Sequence, residues 1–182
     1  MKKTLLKSAL VALAGIGFMA GSASADTING RIDFYGTASP IGTNYFSTAS
    51  GIDFLYAEVG IVGGDFDTSV NVDDPVTMND FSFKPLLTIT NPLWAVGGFS
   101  FALLNLTVVD QTSTSLNIVG TGTLSNVNFD DTPGTWSFTT QGNFARITTW
   151  SGGSSAVPEP ATMLLFGTGL AGLAGIARRK KK

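Results

Sequence analysis

Across residues 26–155 apolar side chains recur at every second position in segment after segment, and no stretch sustains the spacing of an amphipathic helix. In TINGRIDFYGTA, Ile28, Gly30, Ile32 and Phe34 alternate with Asn29, Arg31, Asp33 and Tyr35, which turns one face of an extended strand inward. The same period runs through residues 51–62, 80–90, 98–110, 115–129, 134–142 and 144–150. Lys84-Pro85 interrupts the second of these, because proline cannot donate to a ladder, and predicts two strands or a broken edge strand there. Gly63-Gly64-Asp65, Asp73-Asp74-Pro75, Asn91-Pro92 and residues 130–134 supply turn formers between the runs. Roughly seven to nine short strands with such turns predict an all-β domain: an antiparallel β-sandwich, with a jelly roll or a small barrel as the alternative. Gly-Thr and Phe-Asp pairs recur without a fixed period, so a solenoid is not supported.

The two ends do not belong to that pattern. Lys2, Lys3 and Lys7 precede an apolar run at residues 10–19, and Ala23 and Ala25 place small side chains where a signal peptidase accepts them. Residues 1–25 therefore read as a secretory signal peptide, cut after Ala25, with the exported domain at residues 26–150. At the other end SGGSS begins a linker at residues 151–156, and Pro158 and Pro160 hold the chain extended around Glu159. The apolar residues 161–177 reach about 26 Å as a helix at 1.5 Å per residue, the short limit of a bilayer span. Arg178, Arg179, Lys180, Lys181 and Lys182 follow as a stop that the positive-inside rule keeps in the cytoplasm.

Removing the two ends changes the electrostatics. Residues 26–156 hold twelve acidic side chains against three basic ones, Arg31, Lys84 and Arg146, a net charge of −9 where the whole chain carries −2. Such a body is repelled by phosphate backbones, which excludes nucleic acid as a partner. It has no cysteine and no histidine, so thiol chemistry, a histidine-based nucleophile and imidazole-bound zinc or copper are excluded with them. Acid–base chemistry would fall mainly to aspartates, and an enzyme is not expected; no cofactor is implied.

Two groups of side chains are candidates for binding. Asp65, Asp67, Asp73 and Asp74 are carboxylates in turns of the kind hard cations prefer, without the spacing of an EF-hand, and a calcium ion between the loops of Asp65 and Asp73 is one expectation. Solvated turn carboxylates are the plainer reading. Trp136 alternates with Phe138 and belongs to a core, whereas Trp94 follows Asn91-Pro92 in an apparent loop and Trp150 adjoins the linker, so these two are the expected exposed aromatics for stacking sugar rings. The sequon Asn105-Leu106-Thr107 falls within an apolar strand and reads as incidental.

The order of parts at the C-terminus resembles the PEP-CTERM sorting signal of Gram-negative bacteria: VPEP at residues 157–160, an apolar segment at 161–177 and RRKKK at 178–182, together 26 of 182 residues. The resemblance implies export, a transient hold in the inner membrane, and recognition at Pro158, Glu159 and Pro160 by an exosortase-like membrane enzyme that cuts there and releases the body to the cell surface or matrix. It also implies hosts that make exopolysaccharide, in biofilms or flocs. It assigns no role to residues 26–155, because unrelated bodies share this ending. The expectation for the body is a non-catalytic surface or matrix component. The alternatives are an enzyme acting on polysaccharide through paired aspartates and a protein kept permanently at the inner membrane.

Overall fold

A computed structural model describes residues 26–84, 88–89, 91–112, 115–141 and 147–157. Six long strands dominate: β1 (Gly30–Ile41), β2 (Gly51–Gly64), β7 (Phe99–Gln111), β8 (Ser115–Ser125), β9 (Thr132–Gln141) and β10 (Thr148–Ala156). Four short ones lie between β2 and β7: β3 (Thr77–Met78), β4 (Phe81–Ser82), β5 (Thr88–Ile89) and β6 (Trp94–Val96). Short 3-10 turns at Phe46–Thr48 and Asp65–Thr68 each bury one phenylalanine. The break predicted at Lys84-Pro85 separates β4 from β5, which pair antiparallel with each other.

All ten strands form one sheet in the order β3-β6-β7-β8-β9-β10-β1-β2-β4-β5, antiparallel throughout. Among the described residues there is no second sheet facing it, so the sandwich expected from the strand pattern is corrected to a single sheet curled into a half-barrel, closer to the barrel alternative. The curl brings its far ends together. Val59 N donates to Asp74 O (3.0 Å), Asp73 N to Val59 O (2.8 Å) and Val76 N to Ala57 O (3.0 Å), which lays residues 73–76 along β2 just before the chain enters β3. A cleft of about 200 Å³ between Phe54–Ala57 and Val76–Met78 marks where this seam is left unpaired.

A sheet curled on itself has to fill its interior from one face, and the cross-strand rows show how. One inward row runs Leu106, Gly120, Trp136, Ser154, Ile32; the next runs Val108, Ile118, Phe138, Gly152, Phe34. Trp136 is flanked by Gly120 and Ser154, and Gly152 separates Phe138 from Phe34, so wide rings sit beside positions with little or no side chain. In a third row Trp150 lies between Thr140 and Gly36. A Cβ at Gly152 would strike the Ser137 carbonyl and come within 3.2 Å of Trp150.

This pairing overturns the reading of residues 151–156 as a linker. Ser151, Gly152, Gly153, Ser154 and Ser155 lie inside β10, a central strand between β9 and β1. The low side-chain volume that suggested flexibility is what the neighbouring aromatics need. Phe144–Trp150 was expected as the last strand; residues 144–146 lie outside the described residues, and the described strand runs from Thr148 on to Ala156.

Rings fill the interior. Phe34 meets Trp94 edge-on at 5.1 Å, Trp94 stacks on Phe101 at 6.2 Å, and Phe81 from β4 reaches Trp136 on β9 at 5.7 Å. Each such buried side chain contributes on the order of 1.5–3 kcal/mol by burial. Trp94 Nε1 donates to Ser154 Oγ across the interior at 2.9 Å, tying β6 to β10. Among the described residues the indole N–H groups of Trp136 and Trp150 have no hydrogen-bond partner, and their rings are held by packing.

Both ends of the body converge on one short segment. Asp130 N donates to Asp26 O, Ile28 N to Thr132 Oγ1, and Val157 N to Pro133 O. Ser154→Ala should destabilise the protein by about 1–3 kcal/mol, because it orphans the buried Trp94 N–H. Gly152→Ala should cost a similar about 1–3 kcal/mol through overpacking. Urea midpoints of the two variants check both values.

Candidate functional site

Strand alternation that sends rings inward sends short polar side chains outward. On the face opposite the core, Arg31, Ser155, Thr135, Thr121 and Asn105 form one cross-strand row over β1, β10, β9, β8 and β7. The adjacent outward row is Asp33, Gly153, Ser137, Val119 and Thr107. Between them lies a trough of about 630 Å³, whose floor is the backbone around Gly120, Trp136 and Ser154. That volume falls within the roughly 300–1,000 Å³ of small-ligand sites. Gly153 contributes no wall, since any Cβ there would run into Asp33.

Charge in the trough is confined to one end and cancels. Arg31 Nε donates to Asp33 Oδ1 at 2.6 Å while its Nη2 lies 2.5 Å from Oδ2, a two-point pair on side chains two apart along β1. The remaining polar groups are hydroxyls and one amide.

Beside the trough, outward from β1 and β2, Tyr35 and Tyr56 converge on Glu58. Tyr35 Oη lies 2.7 Å from Glu58 Oε2 and 2.8 Å from Asp73 Oδ1, and the Tyr56 hydroxyl donates to Glu58 Oε1. Asp73 reaches Tyr35 from a turn in which it adopts φ +69°, the left-handed region that aspartate tolerates better than most residues. The Tyr56 and Tyr35 hydroxyls hold the Glu58 carboxyl below the usual carboxylate range, and Glu58 raises both phenols above theirs, with Asp73 adding to the effect on Tyr35.

The residues singled out from sequence are distributed differently from expectation. Trp94 and Trp150 are 0% and 3% exposed, so neither can stack on a sugar; Trp94 is not in a loop but in β6 against Phe34 and Phe101, and Trp150 faces inward from β10 onto Phe54 and Phe138. Asp65 accepts from Asn29 N (2.7 Å), Asp74 from Asn71 N (2.7 Å) and Asp73 from Tyr35, so three of the four candidate calcium ligands serve local turns and the tyrosine cluster. Among the described residues no three acidic side chains gather closely enough to ligate a metal. Asp67 is exposed in the 3-10 turn.

Ala23, Ala25, Pro158, Glu159, Pro160 and residues 178–182 lie outside the described residues, as does the apolar segment at 161–177. Among the described residues no helix is long and apolar enough to cross a membrane. The trough went unread in the sequence, although its signal is there: Thr121, Thr135, Ser137, Ser151 and Ser155 occupy the alternate positions of three successive strands.

Compared with known families, residues 156–181 match the PEP-CTERM protein-sorting motif. No curated protein matches the chain, and no solved structure does.

Glu58 is lowered on folding, so its contribution to stability is present above the ordinary carboxylate range and lost as pH falls through the folded value; the tyrosines are raised, so theirs is present below about pH 10 and lost as pH rises through theirs. The melting-temperature difference between wild type and Glu58→Gln should therefore be constant near neutrality and shrink at both extremes. Absorbance titration should show Tyr35 and Tyr56 ionising at lower pH in that variant.

Proposed function

We propose that this chain, which ends in a PEP-CTERM protein-sorting motif at residues 156–181, is an exported surface or extracellular-matrix protein sorted by an exosortase-type system, with a non-catalytic body that works in exopolysaccharide, biofilm or floc. The motif carries the reading. It supports export past a signal peptidase, a hold in the inner membrane through residues 161–177 and the basic tail, and processing at Pro158, Glu159 and Pro160.

The fold adds a constraint on that processing. The motif begins at the last residue of β10, and Val157 N still donates to Pro133 O, so no spacer separates the central strand from Pro158. A cut on the N-terminal side of Ser155 would remove ladder bonds from both β9 and β1. A cut at or beyond Pro158 leaves the sheet whole. Because Asp26 and Val157 bond to neighbouring residues of the same segment, the body hangs from one pole whichever terminal segment tethers it.

The remaining support is compositional. The body's charge of −9 and its lack of cysteine and histidine suit a soluble exported component, and its outer face offers hydroxyls where an active site would need a poised acid and base. Intact mass and cell fraction of the protein from its own host, with and without the sorting enzyme, test the reading. The expected product starts near Asp26, ends at or just beyond Val157 and is extracellular; without the enzyme it keeps Arg178 to Lys182 in the inner membrane. A product that keeps the basic tail in the enzyme's presence overturns it. A chain ending at Val157 should fold, and one ending at Trp150, without most of β10, should not, as circular dichroism would record.

A further inference from the structure

We infer that the outer trough over β1, β10, β9, β8 and β7 is a binding site for a neutral polysaccharide chain. The inference rests on the reading of the protein as a matrix component and names the site and ligand class for it. Three observations carry it.

The first is chemical. Thr121, Thr135, Ser137, Ser155, Thr107 and Asn105 offer donors and acceptors on short side chains that lose little freedom when they bind. A ligand that is itself a series of hydroxyls can match them, whereas a hydrophobic ligand would leave them unpaired.

The second is spacing. The row Ser155, Thr135, Thr121 and Asn105 places one such group on each of β10, β9, β8 and β7, and neighbouring strands are about 4.8 Å apart. That repeat is close to the length of one sugar ring, so a chain laid across the strands meets a fresh hydroxyl at each ring. The bare backbone at Gly153 and Gly120 lets it approach the floor. The next outward row, Tyr35, Ser151, Thr139 and Asn117, continues the same pattern. It ends at a 40%-exposed tyrosine ring whose hydroxyl Glu58 and Asp73 hold in place, an aromatic surface available at the edge of the trough.

The third is charge. Arg31 and Asp33 neutralise each other at the trough's end, and the body around it carries −9. A uronic or sulfated chain would be repelled, and nothing in the trough compensates for that. The ligand is therefore an uncharged glycan.

The released protein, affinity electrophoresis in gels containing an uncharged β-glucan or an uncharged mannan, and a parallel gel containing alginate as the anionic comparison give the test. Retardation is expected in at least one neutral gel and not in alginate. Thr121→Arg and Thr135→Arg place bulky side chains into the trough from exposed positions, and each should weaken retardation at least tenfold while the melting temperature stays unchanged. Leu104→Arg, on an exposed position of β7 outside the trough, should bind as wild type. Retardation unchanged in both trough variants, preference for alginate, or no retardation in any neutral gel including one cast with the host's own uncharged exopolysaccharide overturns the site. Failure of the matrix reading is separate: if wild type and trough variants alike are found inside the cell, that reading falls too, whereas variants that bind no glycan yet remain in the matrix leave it standing with the trough excluded.

Discussion

A single sheet that curls around its own core has only one inner face from which to fill it, and every other feature of this molecule follows from how that face is divided. No two of the rings of Trp136, Phe138, Trp150 and Phe34 face each other as a directly paired position in the ladder, and each has a glycine or short polar neighbour in its cross-strand row. The interior can then approach the density of other protein cores. The small residues Gly120 in β8 and Ser154 in β10 are a packing requirement set by Trp136 on the strand between them. The only buried side-chain hydrogen bond reaching across the interior among the described residues, Trp94 to Ser154, uses one of those small positions as an acceptor.

The same division explains what could be read from the sequence. Period-two alternation identified β1, β2, β7, β8 and β9 almost to their ends, because it reflects one buried and one solvated face and needs no knowledge of partners. Strand order is a long-range property, and alternation looks alike whether the opposite wall belongs to a second sheet or to the far side of the same one; hence a sandwich was expected where a curled sheet stands. SGGSS misled for a related reason. Locally it has the composition of a linker, and only Phe138 and Phe34 on either side of Gly152 reveal it as a strand. Trp94 was misplaced because β6 is three residues long, too short for a period to register. The trough was legible only in retrospect, since its hydroxyls come from four strands whose adjacency no local pattern encodes.

Surface and core are thus two sides of one constraint. Outward positions beside inward aromatics are free of packing demands, and here they carry serine, threonine and asparagine with little net charge, while the acidic residues collect in turns and at the Glu58 cluster. Asp65 accepts from Asn29 N just ahead of β1, and Asp74 accepts from Asn71 N within its own turn. The carboxylates that looked like a cation site from sequence thus secure loops at the margins of a neutral face.

β1 is flanked by β2, which the chain makes next, and by β10, which it makes last. Arg31 finds its partner in Ser155, so the wall of the half-barrel is complete only when nearly the whole body is available. Pairing between such distant segments is slow, and until β10 is in place the first strand has one edge bare. The final strand that covers this edge is contiguous with the sorting motif. The sheet is consequently finished only when the residues just ahead of the motif take their place, so the strand that closes the wall and the start of the motif share one stretch of chain.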